Sequence, residues 1–289
     1  MRHDGPVVIA LDGSPHSEQT LEWGLAEAEH RAAEAVLARA FQVPRDPSAW
    51  NWYLVVPEPA LLAEVKEYLV ERLEHATVRS PGIVISTRAL DGPEVPALQA
   101  LTTDAQLLVV GAQGQVGRTR VGRVGAHLAA HSRCPVAVVR GASQGGSVVV
   151  GVDGSPTSLA AAAAAAREAV WRGVPLVVLH ARPPLLDPHV TVREVPPLAT
   201  SDADDPTHQA AERTAATLRE ENPGLEVRLE LLDDEPVHAL LARSGPDDLV
   251  VVGSRGMGAF RGMLLGSVSN EVVRHASGTV LVVHDDEDR

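Results

Sequence analysis

A glycine-rich stretch in the last quarter of the chain carries the clearest sign of chemistry in this sequence. It reads GSRGMGAFRGMLLGS from Gly253 to Ser267 and holds five glycines and two arginines but no lysine. It follows the apolar run DLVVV, which indicates a loop between a strand and a helix. Glycines let backbone N–H groups approach phosphate oxygens closely, and a helix N-terminus adds partial positive charge. The stretch therefore predicts an anion site made from backbone amides, which needs no lysine.

A second candidate is Asp153, which directly follows the apolar run VVVGV. In an open parallel sheet, ligands bind at the carboxyl ends of the strands where the winding direction reverses. We therefore expect the Asp153 side chain and the loop from Gly253 to face the same crevice. A turn that leads into a helix explains one copy of the sequence DGSP equally well. Two copies at matched places, 12–15 and 153–156, favour a ligand site.

Several other kinds of site are excluded or disfavoured. The pattern G-x-x-x-x-G-K-[ST] is absent, and the single lysine, Lys66, lies in an unrelated amphipathic segment, so a P-loop is excluded. The glycine-rich loop follows the fourth strand of its half, whereas a dinucleotide fingerprint follows the first. His127 and His131 have the i, i+4 spacing of metal ligands but lack a third ligand nearby, so we interpret them as surface or packing residues.

Composition limits the partners and the compartment. The chain has 289 residues, enough for two domains, and a net charge of −13, which argues against nucleic acids and anionic membrane surfaces. No apolar run approaches the ~20 residues of a membrane helix. The single cysteine, Cys134, excludes an intramolecular disulfide and suits a reducing compartment. We expect a soluble cytoplasmic protein in which Cys134 is a small buried residue.

The chain contains an internal repeat. Three segments recur at offsets of 141, 142 and 144 residues: VVIALDGSP as VVVGVDGSP, AQLLVVGAQG as DDLVVVGSRG, and HSRCPVAVV as HASGTVLVV. Repeats of this length indicate two homologous domains. We place them at 1–143 and 144–289, joined by a short Gly/Ser linker near Gly141 to Gly146.

Within each half, short β-branched runs alternate with helical patterns. The second half predicts strands at Val148–Val152, Leu176–His180, Leu225–Leu231, Leu249–Val252 and Val280–Val283. It predicts helices at Ser158–Trp171, His208–Glu221, Pro236–Arg243 and Ser267–Ala276. Apolar strands that alternate with helices predict a parallel sheet covered on both faces. Each domain should therefore be a doubly wound, Rossmann-like α/β fold with five strands in the order 3-2-1-4-5.

The glycine spacing also matches a known family. The pattern G-x2-G-x9-G-[ST] fits Gly253, Gly256, Gly266 and Ser267. Together with VVVGVDGSP and DLVVVGSRG it resembles the universal stress protein family, in its tandem two-domain actinobacterial form, over nearly the whole chain. The resemblance implies ATP binding, with Mg²⁺ sharing the phosphate charge, turnover no faster than slow hydrolysis, and a role in stress or dormancy physiology.

The resemblance implies a set of binding residues in each half but no catalytic residue and no dedicated metal ligand. Asp153 would contact adenine or ribose, and Ala181 would lie against adenine. The others implied in the second half are Gly151, Gly253, Ser254, Arg255, Gly256, Met257, Gly258, Gly266, Ser267, Val268 and Ser269. Those implied in the first half are Asp12, Ala40, Gly111, Gly114, Gly122, Arg123 and Val124. The first loop is two residues shorter and has Arg123 where Ser is expected, so we expect weaker ATP binding there.

Three functions remain open from the sequence. The first is a binding protein in which ATP stabilises one conformation and an unknown protein partner reads it. The second is a slow ATPase or phosphotransfer protein, disfavoured because no general base or metal-carboxylate pair accompanies Asp153. The third is a ligand-free scaffold that forms a homodimer through sheet edges. For the third, the family resemblance implies pairing through the fifth strands, Val136–Val139 and Val280–Val283.

Overall fold

A computed structural model describes six stretches of the chain: 5–42, 58–112, 123–141, 145–183, 205–257 and 265–284, with the side chain of Arg123 excepted. The chain divides into two units between Ala142 and Ser143. The long proline-rich connections after the second strand of each half fall in 43–57 and 184–204, outside the described residues. Every helix in the described ranges is too short or too polar to cross a membrane.

The first unit is a five-stranded parallel sheet with helices between its strands. Its elements are β1 (Val7–Ala10), α1 (Ser17–His30), β2 (Ala35–Phe41), α2 (Glu58–Arg79), β3 (Ile85–Asp91), α3 (Glu94–Leu101), β4 (Leu107–Gly111), α4 (Arg123–His131) and β5 (Val136–Val139). The strand order is β3-β2-β1-β4-β5, and each neighbouring pair is parallel. This is the predicted order 3-2-1-4-5.

The second unit repeats the same architecture. Its elements are β6 (Val148–Gly151), α5 (Pro156–Arg172), β7 (Leu176–Arg182), α6 (Pro206–Glu221), β8 (Val227–Asp233), α7 (Pro236–Arg243), β9 (Leu249–Gly253), α8 (Ser267–His275) and β10 (Thr279–Val283). The strand order is β8-β7-β6-β9-β10, again with parallel neighbours. The predicted fold class is therefore confirmed in both units.

Helix α5 begins two residues before its predicted start. Ser155 is its N-cap, and the Ser155 hydroxyl accepts a hydrogen bond from the N–H of Ser158 at 3.2 Å. Pro156 then fits the first turn, where a missing N–H costs nothing. The turn DGSP is thus a capped helix start, and Asp153 lies just outside it.

Two strands of the second unit differ from their predicted bounds by two residues, and the other three differ by one. β7 continues past His180 to Arg182, because the pairing with β8 runs on to Arg182 and Asp233. Ala181 therefore lies within a strand. β8 begins two residues later than predicted, because the N–H of Leu225 closes a turn on Asn222 at 3.0 Å.

The two halves fill one core position in different ways. In α1, a Cβ added to Gly24 would lie 2.7 Å from both Cγ1 and Cδ1 of Ile9, a fully buried residue of β1. The equivalent positions, 141 residues later, hold Ala165 and Val150, both fully buried. The larger strand residue, Ile9, thus packs against glycine, and the smaller one, Val150, packs against alanine. The two pairs differ in this way because a close-packed core tolerates little extra volume.

We expect Gly24→Ala to destabilise the first unit by about 1–3 kcal/mol through overpacking against Ile9. Adding Ile9→Val recreates the pair of the second half and should restore most of that loss. Urea unfolding measures both changes. Gly82→Ala is the matched control, because an added Cβ there meets nothing within 4 Å. A double variant no more stable than Gly24→Ala would contradict the volume explanation.

Candidate functional site

A cavity of about 450 Å³ opens at the carboxyl edge of the sheet in the second unit. Its walls come from the ends of β6, β7 and β9, from α7, and from the start of α8. β6 and β9 are neighbours in the sheet, so this is the crevice that the strand order predicts. The volume is typical of sites for small molecules.

Most of the residues that the sequence implies for the second half lie together at this cavity. Ten of them line it: Gly151, Asp153, Ala181, Gly253, Arg255, Gly256, Gly266, Ser267, Val268 and Ser269. Two others do not. Ser254 is fully buried and donates its N–H to the carbonyl of Val283 at 2.7 Å, and the Met257 side chain is 62% exposed. Gly258 lies outside the described residues.

Six further residues line the cavity that were not predicted from the sequence, most of them apolar: Val152, Ser158, Leu179, Pro236, Leu240 and Val252. Pro236 and Leu240 are one turn apart on α7, and so they share a face. That i, i+4 spacing on the helix after the third strand was a usable signal. Together with Leu179 and Ala181, they give the cavity an apolar wall.

Asp153 accepts hydrogen bonds from two backbone amides. Its Oδ1 accepts from the N–H of Ser155 at 2.9 Å, and its Oδ2 accepts from the N–H of Met257 at 2.8 Å. Burial on its own raises the pKa of Asp153, but hydrogen bonds from Ser155, Met257 and Ser158 outweigh it and bring the pKa below its usual value. The carboxylate is therefore ionised at neutral pH and can only accept hydrogen bonds.

Gly256 allows the loop to pass over this carboxylate. A Cβ added at Gly256 would lie 2.4 Å from Oδ2 of Asp153, too close for any contact. Gly266 differs, because an added Cβ there meets its nearest atom at 3.5 Å and its φ of −68° suits any residue. A side chain at 256 would therefore displace the Asp153 carboxylate, whereas an added Cβ at 266 makes only ordinary contacts.

Three consecutive carbonyl groups of the loop are each held by a donor from elsewhere in the unit. The pairs are Ser269 hydroxyl to Gly253 at 2.5 Å, Gly266 N–H to Ser254 at 2.7 Å, and Thr157 hydroxyl to Arg255 at 2.6 Å. With the N–H of Met257 bound to Asp153, hydrogen bonds within the unit define the path of the loop from Gly253 to Met257.

The N-terminus of α8 supplies donors at the cavity wall. Gly266 is its N-cap, without a side-chain cap, and the first internal bond runs from the N–H of Asn270 to Gly266 at 2.9 Å. Ser267 is therefore the first helical residue and not the cap. The amides of the first turn precede the internal ladder and, with the helix dipole, favour an anion.

The first unit places its implied residues at the same edge of its own sheet. Oδ1 of Asp12 accepts hydrogen bonds from the N–H of Ser14 at 2.9 Å and the hydroxyl of Ser17 at 2.8 Å. The remaining described ones are Ala40 in β2, Gly111 at the end of β4, and Arg123 and Val124 at the start of α4. Gly114, Gly122 and the Arg123 side chain lie outside the described residues.

Glu94 distinguishes the first unit from the second. It is the first residue of α3, where α7 of the second unit has Pro236. Partial burial raises the pKa of Glu94, and the negative charge of Asp12 raises it further. The first unit thus places a second carboxylate close enough to Asp12 to repel it, and this carboxylate would repel phosphate as well. Sequence reasoning missed this difference, although DGPE against DDEP shows it.

One group in the described ranges brings three potential metal ligands together, Glu18, Glu22 and His75. Arg72 donates to Glu18 at 2.7 Å and Arg79 to Glu22 at 3.0 Å, so both carboxylates already have cationic partners. This group is a network of ion pairs between α1 and α2.

These features define a class of protein: tandem doubly wound α/β domains with a ligand cavity where the winding reverses. The model of the universal stress protein family matches residues 5–140 and again residues 146–284. The chain therefore belongs to the universal stress protein family and carries two copies of its domain in tandem.

The similarity to individual proteins extends over nearly the whole chain in some cases and over about half of it in others. The chain is 30% identical over 295 residues to the universal stress protein Rv2623 of Mycobacterium tuberculosis H37Rv, covering 96% of each. A universal stress protein from Archaeoglobus fulgidus DSM 4304 has a similar fold, with a TM-score of 0.67 at 18% identity, covering 96% of this chain and 98% of that one. A universal stress protein in complex with cAMP is 27% identical, with a TM-score of 0.35, and covers 48% of this chain and 95% of that one.

Asp153→Asn should lower the stability of the second unit at pH 7 by about 1–3 kcal/mol, because an amide cannot accept from both Ser155 and Met257 as the carboxylate does. Because the pKa of Asp153 is lowered in the folded state, the ionised carboxylate stabilises the fold fully at pH values above the unfolded pKa of about 3.9. This stabilisation is lost as the pH falls through the folded-state pKa. The difference in the free energy of unfolding between Asp153→Asn and wild type should therefore become smaller below about pH 4.

Urea unfolding at pH 7 and at pH 3 measures the gap. Glu220→Gln, at an exposed position on α6, is the control and should match wild type at both values. A gap that is equally large at both pH values would show that the ionised form of Asp153 is not what stabilises the fold.

Proposed function

We propose that the second unit binds ATP and that the protein is a nucleotide-responsive regulator in stress or dormancy physiology. The observation that carries the proposal is the combination of three surfaces in one cavity. These are an apolar wall, the ionised carboxylate of Asp153, and the amides at the start of α8. An adenine nucleotide has matching parts in a heterocycle, a ribose and phosphates, and membership of the universal stress protein family agrees with this choice.

The cavity suggests how the parts of the nucleotide are arranged. Adenine would lie against Ala181 and Leu179 on β7, where the wall is apolar. Asp153 accepts one amide on each carboxylate oxygen and keeps further lone pairs for ribose hydroxyls or the adenine amino group. The phosphates would lie at the N-terminus of α8, where the dipole and free donors favour negative charge.

Charge balance supports Mg²⁺ as part of the ligand. Among the described residues that line the cavity, Arg255 is the one cation, and Asp153 offsets it. A triphosphate brings more negative charge than the partial charge of a helix N-terminus can neutralise. Mg²⁺ keeps most of its ligands as water and phosphate oxygens, so it needs no dedicated protein cage.

Slow ATP hydrolysis or phosphotransfer is the alternative function. A general base needs a pKa near the working pH and access to the attacking group. The pKa of Asp153 is lowered, and both carboxylate oxygens already bind backbone amides. These contacts favour Asp153 as a binding group over a base.

We therefore expect steady-state phosphate release far below the typical enzyme range of ~1–1000 per second. A coupled phosphate assay with wild type and Asp153→Asn measures it, and a trace unaffected by the substitution identifies a contaminating ATPase. Release at tens per second that disappears in Asp153→Asn would overturn the binding-protein function.

A ligand-free scaffold is the remaining alternative. It predicts no nucleotide in the purified protein after heat release and chromatography, and no heat when ATP is titrated in. Homodimer formation, a protein partner that reads the bound state and a cytoplasmic location belong to our proposal, and light scattering at several protein concentrations tests the first of them.

The tight ATP site should be in the second unit and not in the first. The first unit has the shorter loop, and Glu94 adds negative charge beside Asp12. Gly266→Asp should remove tight binding, because the new carboxylate sits where phosphate would approach. The variant should still fold, because the backbone at 266 accepts a side chain.

Calorimetric titration of ATP into wild type, Gly266→Asp and Gly114→Asp decides the question. We expect tight binding in wild type and Gly114→Asp, and a loss of at least tenfold in Gly266→Asp, about 1.4 kcal/mol. Tight binding that survives Gly266→Asp and is lost in Gly114→Asp would reverse the assignment.

A further inference from the structure

We propose that Thr157 is a positioning residue for the phosphates, because its hydroxyl holds the Arg255 carbonyl so that the N–H of Gly256 points into the cavity. This inference rests on the proposed function and adds a residue that the glycine pattern does not contain. Thr157 itself does not line the cavity.

The geometry of the peptide bond carries the first step. The Thr157 hydroxyl donates to the carbonyl of Arg255 at 2.6 Å, and the described peptide bonds are all trans. In a planar trans peptide, the C=O and the following N–H point in opposite directions. Holding the Arg255 carbonyl at Thr157 therefore turns the N–H of Gly256 away from α5.

The second step concerns what this N–H meets. A Cβ added at Gly266 would lie 3.7 Å from the nitrogen of Gly256, and both glycines line the cavity. The N–H of Gly256 finds no acceptor among the residues that the structure describes, whereas the N–H of Met257 is bound to Asp153. A backbone donor at a cavity wall needs a partner, and water or a ligand oxygen can supply it.

The Thr157 hydroxyl is itself oriented by its neighbours. Thr157 is 6% exposed, and its oxygen lies 3.3 Å from the hydroxyl of Ser155. Because the Thr157 proton is used on Arg255, Ser155 must donate to Thr157, while Ser155 accepts from the N–H of Ser158. Such a chain of hydrogen bonds strengthens each member.

The first half has no hydroxyl side chain at the position of Thr157. Its equivalent sequence is DGSPH, which places His16 at the position of Thr157. His16 is exposed and has no hydroxyl to hold a loop carbonyl. A hydroxyl at this position is therefore specific to the second unit.

The test compares ATP with adenosine in the full-length chain. Thr157→Val should weaken ATP binding about tenfold, the effect of one lost hydrogen bond, and leave adenosine binding unchanged. Thr157→Ser retains the hydroxyl and should bind ATP like wild type. Thr214→Val is the matched control, because the Thr214 hydroxyl donates to Ala210 within α6.

A second readout is the amide resonance of Gly256, whose shift at saturating ATP should be large in wild type and Thr157→Ser and smaller in Thr157→Val. Equal losses of ATP and adenosine binding in Thr157→Val, or no loss of either, would overturn the role of Thr157. The proposal that the wild-type second unit binds ATP would be unaffected by either result. Failure of wild type to bind ATP would overturn the proposed function, and this inference with it.

Discussion

The hydrogen bond between Asp153 and the N–H of Met257 is the contact on which the cavity depends. It joins the end of β6 to the loop after β9, two places 104 residues apart in the chain and adjacent in the sheet. A partly buried carboxylate is costly unless donors satisfy it, and here two backbone amides do so. Gly256 completes the arrangement, because any side chain at that position would displace Oδ2.

Strand order could be predicted because alternating strands and helices with right-handed crossovers allow few arrangements, and the main site residues because they directly follow strands. Apolar runs mark the strands, and the residues directly after a parallel strand lie at the ligand-binding edge, which located Asp153 and Gly253 correctly at one cavity. The predictions that failed concern residues whose placement depends on tertiary packing. Ser254 is buried and Leu240 lines the cavity from α7. The spacing of the glycines does not predict either placement. The domain bounds 1–143 and 144–289 and the ligand-binding roles remain predictions.

The two halves differ in their cores and in their sites, but in different ways. Ile9 with Gly24 and Val150 with Ala165 exchange volume between two positions, so the packing of helix on strand is kept. Glu94 in place of Pro236 adds a negative charge near Asp12. One fold is therefore maintained while the chemistry at the carboxyl edge diverges, which is how function varies on a shared scaffold.

The hydrogen bonds that hold the loop from Gly253 to Met257 favour ligand binding but oppose a conformational change of the loop. Hydrogen bonds within the unit hold the backbone from Gly253 to Met257, so the phosphate binding that we propose would carry little ordering cost there. A ligand that meets the same geometry in both states shifts no equilibrium, so a nucleotide-dependent signal has to involve other contacts. His180 connects the end of β6 with the start of α6, since its Nδ1 lies 2.8 Å from the carbonyl of Val152 and its Nε2 lies 3.1 Å from the hydroxyl of Thr207.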